Sequence, residues 1–125
     1  MNETASKVGQ GECKKISEIL GRIGDKWTVL IVMELRTHKL RFNEIKRAVE
    51  GISQQMLTRT LRALERDGMV ERTVYPTVPA QVEYELTPLG HSLSEPVIHI
   101  GNWARANLPE IERHRQKHDV KMNVG

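Results

Sequence analysis

Gln55, Arg59 and Arg62 stand at i, i+4 and i+7, a spacing that lines them along one side of an α-helix. Their chemistry is bidentate hydrogen bonding. An Arg fork matches the O6/N7 acceptor pair of guanine, and a Gln amide matches the N6/N7 donor–acceptor pair of adenine. Groups suited to phosphate surround this stripe. From Arg36 to Arg47 five basic residues (Arg36, Lys39, Arg41, Lys46, Arg47) face one acid, Glu44. Arg41, Lys46, Arg72, Thr58 and Ser53, the last beside the open amides of a helix start, are the expected phosphate contacts. Gln55, Arg59 and Arg62 are the expected base readers, and His38 in the basic loop is a further phosphate candidate. Arg66 shares their side of the helix but ends it, where a cation also complements the helix dipole.

Other reactive groups are sparse. Cys13 is the single cysteine, so neither an internal disulfide nor a Cys-rich zinc site can form. What remains is a thiol or a bond between two chains. Lys14 and Lys15 and a helix start favour its reactivity, and Glu12 opposes it. His114 and His118 stand at i, i+4, but with no thiolate nearby they read as a solvated face, and no metal site or cofactor is expected. His91 and His99 read as helix-packing residues. No Gly-rich phosphate loop, nucleophile elbow or His-Glu-x-x-His motif is present, so an enzyme is not expected.

The elements that position the stripe follow from periodicity. SQQMLTRTLRALERDG, residues 53–68, is one helix: Ser53 suits the N-cap, Gly68 the left-handed C′ position, and Leu57, Leu61 and Leu64 fall together on a core face. RFNEIKRAV, residues 41–49, places Phe42, Ile45 and Val49 on one helical face. The tight Glu50-Gly51-Ile52 turn joins these two helices as a helix-turn-helix. Upstream, Ile16, Ile19, Leu20 and Ile23 recur at helical spacing, Gly24 interrupts, and Asp25 caps KWTVLIVMEL, a helix apolar almost all round and therefore expected at the centre. Residues 36–40 read as a loop. Downstream, residues 69–75 and the alternating Val82, Tyr84, Leu86 predict an antiparallel hairpin. Thr87-Pro88 starts a last helix carrying Leu89, Leu93, Val97, Ile100, Trp103 and Ala104. Pro96 is expected to kink or split it and Pro109 to end it near Leu108.

The expected fold is mainly α with a small β-hairpin, a winged helix-turn-helix. Residues 1–12 are expected as a flexible arm, 13–108 as the domain with its dimerisation helices, and 109–125 as a charged tail, either ragged helix or coil. At 125 residues, 38% hydrophobic and net charge +3, the chain suits a single soluble domain. No apolar run approaches the roughly 18–20 residues of a membrane span, and the first residues lack the apolar middle of a signal peptide. The expected location is the cytoplasm of a bacterium or archaeon.

Several blocks, in order, resemble the HxlR-type family of winged-helix transcription regulators, related to MarR-type repressors: IGDKWTVLI (23–31), RFNEI (41–45), GISQQMLTRTLRALERDGMVER (51–72), VEYELTPLG (82–90) and Trp103. The resemblance runs roughly from Cys13 to Trp103. It implies a homodimer on double-stranded, near-palindromic operator DNA, with residues 53–68 as reader helix, 69–87 as wing, and dimer contacts through the terminal helices. Ile16, Ile19, Leu20, Val97, Ile100, Trp103 and Ala104 are the expected dimer residues; the apolar stripes on these helices exceed what a small wing domain leaves exposed. Some members of this family sense quinones, aldehydes or oxidants through a cysteine near the position of Cys13, which makes Cys13 a candidate redox sensor and an oxidant or small molecule a candidate effector. The resemblance departs at the wing: Gln81 stands where relatives commonly carry a basic residue, and the loop 76–81 holds no Lys or Arg. The expected function is a repressor, since no activation module is evident. The alternative is a winged-helix module that binds only protein, which would show no sequence-selective duplex binding at any salt concentration.

Overall fold

The computed structural model describes residues 10–124. Helices α1 (Gln10–Ile23) and α2 (Lys26–Leu35) are followed by strand β1 (Leu40–Arg41), helices α3 (Phe42–Ala48) and α4 (Gln54–Arg66), strands β2 (Val70–Tyr75) and β3 (Gln81–Leu86), and helix α5 (Pro88–Val124). The expected fold class holds. Of the expected N-terminal arm, residues 1–9 lie outside the described residues, and 10–12 already belong to α1.

Local chemistry places each boundary. After α1, Asp25 caps α2: its carboxylate accepts from the Thr28 amide at 3.4 Å and from the Thr28 hydroxyl at 3.3 Å. Ser53 caps α4 by accepting from the Met56 amide at 3.0 Å. Gly51 carries φ +88° in the turn between α3 and α4, a left-handed backbone that side-chain-bearing residues rarely adopt; Gly68, at φ +76°, closes α4. Thr87 caps α5, its hydroxyl donating to the Gly68 carbonyl at 2.5 Å and accepting from the Gly90 amide at 3.1 Å.

The core gathers Ile31, Val32 and Leu35 from α2, Ile45 from α3, Leu57, Leu61 and Leu64 from α4, and Val70 and Leu86 from the sheet. Thr60, also on the buried face of α4, returns its hydroxyl to the Met56 carbonyl at 2.8 Å. Two strands were expected, and three form. β1 pairs antiparallel with β3 through Leu40↔Tyr84 and Arg41↔Glu83, giving the order β1-β3-β2. A two-residue strand has no periodicity of its own and is created by its neighbour. α2 also departs from the expectation, since Leu30 and Met33 are exposed.

The expected stop at Leu108 does not occur. α5 passes through both Pro96 and Pro109. Each proline removes one helical N–H and crowds the carbonyl four residues earlier. Arg105, which precedes Pro109 by one turn, is exposed. Asn107 Nδ2 bonds the Trp103 carbonyl at 2.8 Å within the same turn. His91 and His99, expected to pack, are exposed on this helix.

The chain divides into two compact units, Met1–Ser94 and Glu95–Gly125. In the first, α1 buries no residue: Ile16, Ile19 and Leu20 are 41%, 45% and 62% exposed. In the second, Ile100, Trp103 and Ala104 are exposed, while Val97 is buried within the single chain. No helix among the described residues is long and apolar enough to cross a membrane.

Candidate nucleic-acid interface

The leucine face of α4 is fully packed, which presents the opposite face outward. Gln55, Arg59 and Arg62 are all exposed there and, with Gln54 and Thr58, line one open groove of about 680 Å³. The three expected readers are thus brought together. Gln54, not singled out from the sequence, joins them because the first helical residue after the cap projects to the same side. Arg66 is exposed but does not line this groove.

A second cleft, of about 310 Å³, separates α4 from the sheet and is lined by Phe42, Thr58, Leu61, Arg62, Glu65, Arg72 and Tyr84. The strand register places Arg72 opposite Tyr84 and Val70 opposite Leu86, so Arg72 shares the Val70 face of β2 and lines the cleft beside α4. Arg72 and Thr58, both expected phosphate contacts, therefore meet Arg62. Glu65 is an acid within this cluster.

Arg41 sits at the junction of β1 and α3. Its backbone amide donates to Glu44 Oε1 at 2.8 Å, and its Nη2 donates to Gln81 Oε1 at 2.9 Å, across 40 residues of sequence. Arg41 and Arg47 line a third cleft, of about 540 Å³, with Glu44 and the wing residues Pro79–Val82. Lys46, the expected contact on α3, is exposed and does not line it. Arg47 does, although the sequence marks it only as one charge in a basic run. Ser53 is exposed, its hydroxyl oxygen occupied by the cap.

The wing is otherwise acidic, with Glu71, Glu83 and Glu85 against Arg72 alone. Glu83 accepts from Tyr75 and raises its phenol above the usual value of 10.0, first through that hydrogen bond and then through charge repulsion; Lys39 acts in the opposite direction. His38 bonds Thr37 Oγ1 through Nδ1 at 2.9 Å and lines a small pocket with Lys39, Glu85 and His91. Among the described residues no group of three or more His, Cys, Asp or Glu is placed to hold a metal ion. His114 and His118 contact different carboxylates, Glu110 at 3.6 Å and Asp119 at 3.8 Å. Cys13 is exposed on α1.

This geometry has known counterparts. The profile of the HxlR-like helix-turn-helix family matches residues 22–112. The chain belongs to that family. HxlR-like proteins are transcriptional regulators, and the relatives bear this out. The HTH-type transcriptional regulator YtfH of Escherichia coli (strain K12) is 45% identical over 94 residues, covering 75% of each chain. A solved structure of the transcriptional regulator YtfH from Salmonella typhimurium is 41% identical, with TM-score 0.74, over 80% of this chain and 89% of that one. The redox regulator HypR in its reduced form is 39% identical, with TM-score 0.73, over 79% of this chain and 98% of its own. The matched region, residues 22–112, includes all of α4 and the hairpin.

Proposed function

We propose that this HxlR-like regulator is a repressor that binds double-stranded operator DNA as a homodimer in the cytoplasm of a bacterium or archaeon, and that it is not an enzyme. The carrying observation is the exposed Gln55, Arg59 and Arg62 stripe, set on a helix whose other face is locked into the core. These residues read base edges in the major groove, the role of the second helix in this motif. Ser53, Thr58, Arg41, Lys46 and Arg72 hold phosphates and set the register.

Dimerisation is supported by apolar surface left open in each compact unit: Ile16, Ile19 and Leu20 in one, Ile100, Trp103 and Ala104 in the other. A two-fold dimer reads a near-palindrome whose half-sites lie about one helical turn, or a multiple of it, apart. Cys13 is the proposed sensor. It is exposed on α1, the helix that also carries Ile16, Ile19 and Leu20, so its oxidation, or a bond to the second subunit's cysteine, re-aims the two reader helices.

The deciding experiment is a gel shift and footprint on the DNA flanking the protein's own gene. Protection of a near-palindromic site, weakening steeply with salt as counterions are displaced, is expected. Absence of sequence-selective duplex binding at every salt concentration would leave a winged helix that binds only protein.

A further inference from the structure

The wing loop 76–81 carries no cation, yet it forms one wall of the cleft whose other wall bears Arg41 and Arg47. Gln81 bridges the two walls, its carboxamide oxygen accepting from Arg41 Nη2 at 2.9 Å. We infer that Gln81 is a positioning residue for DNA binding: it fixes the Arg41 guanidinium at the wing, so that the helix-turn-helix supplies the phosphate-binding charge the wing itself lacks. This inference rests on the DNA-binding reading above.

First, Arg41 is already anchored at its backbone, through the β1 register with Glu83 and the hydrogen bond its amide donates to the Glu44 carboxylate. Only the long side chain remains to be ordered, and the Gln81 contact orders it before DNA arrives, removing part of the cost of binding. Second, a guanidinium has five N–H donors. One goes to Gln81, and the others stay available to a phosphate lying in the cleft. Third, a neutral amide orients the guanidinium without cancelling its charge. A carboxylate at residue 81 would neutralise Arg41, and an ammonium would repel it.

The test is a double-mutant cycle on operator binding by full-length protein, with Gln81→Leu, Arg41→Ala and the double variant, and thermal unfolding as a control on folding. Arg41→Ala is expected to weaken binding at all sequences and lower the salt slope by about one unit. Gln81→Leu is expected to weaken binding about three- to tenfold with sequence preference unchanged, and to have no effect once Arg41 is absent. Gln81→Lys is expected to raise the salt slope by about one unit and to lessen the cost of Arg41→Ala. If Gln81→Leu costs as much without Arg41 as with it, or costs nothing in the wild type, the inference is overturned while the DNA-binding reading stands. If the wild type binds no duplex, both fall.

Discussion

Arg22, near the end of α1, holds its Nε 3.4 Å from Oδ2 of Asp67, the C-cap residue of α4. The Nε atom is itself out of water and makes no well-aligned hydrogen bond, so the ion pair is what compensates its burial among the described residues. Asp67 sits at the negative end of the α4 dipole, where a carboxylate is disfavoured and a cation favoured. The pair is therefore asymmetric. Arg22→Met leaves an unopposed acid at that end and is expected to cost about 0.5–1 kcal/mol, a figure kept small because both side chains, 34% and 30% exposed, are screened by water. Asp67→Asn leaves Arg22 beside a favourable helix end and is expected to cost less. Urea unfolding of both variants checks this, and equal losses would remove the dipole argument.

Arg59→Ala is expected to cost about 1–3 kcal/mol in operator affinity and to relax preference at one base pair. Lys46→Ala is expected to weaken all sequences alike and to lower the salt slope by about one unit. Binding to a panel of single-base operator variants separates the two. Uniform loss from both would contradict the division between reading and positioning.

Gly90, in the first turn of α5, lies against the backbone of Met69, the residue before β2. A Cβ there would overlap the Met69 carbonyl, which is backbone and cannot swing aside, and would lie 3.0 Å from Leu86 Cδ2. The same Met69 carbonyl accepts the Thr87 amide at 3.1 Å, so displacement also disturbs the helix start. Gly90→Ala is expected to destabilise by about 1–3 kcal/mol or more, despite alanine's better helix propensity. A thermal midpoint equal to the wild type would mean the contact relaxes without cost.

The Tyr75 phenol is held above its usual value of 10.0 by Glu83. The native state therefore keeps a proton that the unfolded chain releases first. Its contribution to stability is complete below about pH 10 and is lost as the pH rises through the native value. Tyr75→Phe is expected to flatten the decline in stability between pH 9 and 11. Chemical denaturation across that range measures it, and an unchanged slope would show that the phenol does not contribute.

Cys13→Ser is expected to bind operator like the wild type and to lose oxidant-induced release. Gel shifts with and without an oxidant are the measurement. Release that persists in the serine variant would exclude Cys13 as the sensor.

The order of elements and the outward polar face of α4 were legible in the sequence because both depend on local rules. The Leu57, Leu61 and Leu64 spacing defines a core face, the Ser53 cap and Gly68 set its limits, and the side opposite the core must meet solvent. The outward aim of Gln55, Arg59 and Arg62 follows from the same 3.6-residue period. Thr87 as the cap of α5 was equally local. Local rules also misled at Pro109: proline's cost in a helix is real, yet α5 continues through it on an exposed stretch of helix. What only the tertiary structure decided are contacts between residues far apart in sequence. Two residues become strand β1 only beside Tyr84 and Glu83. Gly90 is required only because the Met69 carbonyl lies against it. Gln81, in sequence a missing cation, becomes in space the group that holds Arg41. Periodicity reports which face of an element is buried, and chain closure alone reports what that face, or its rim, comes to touch.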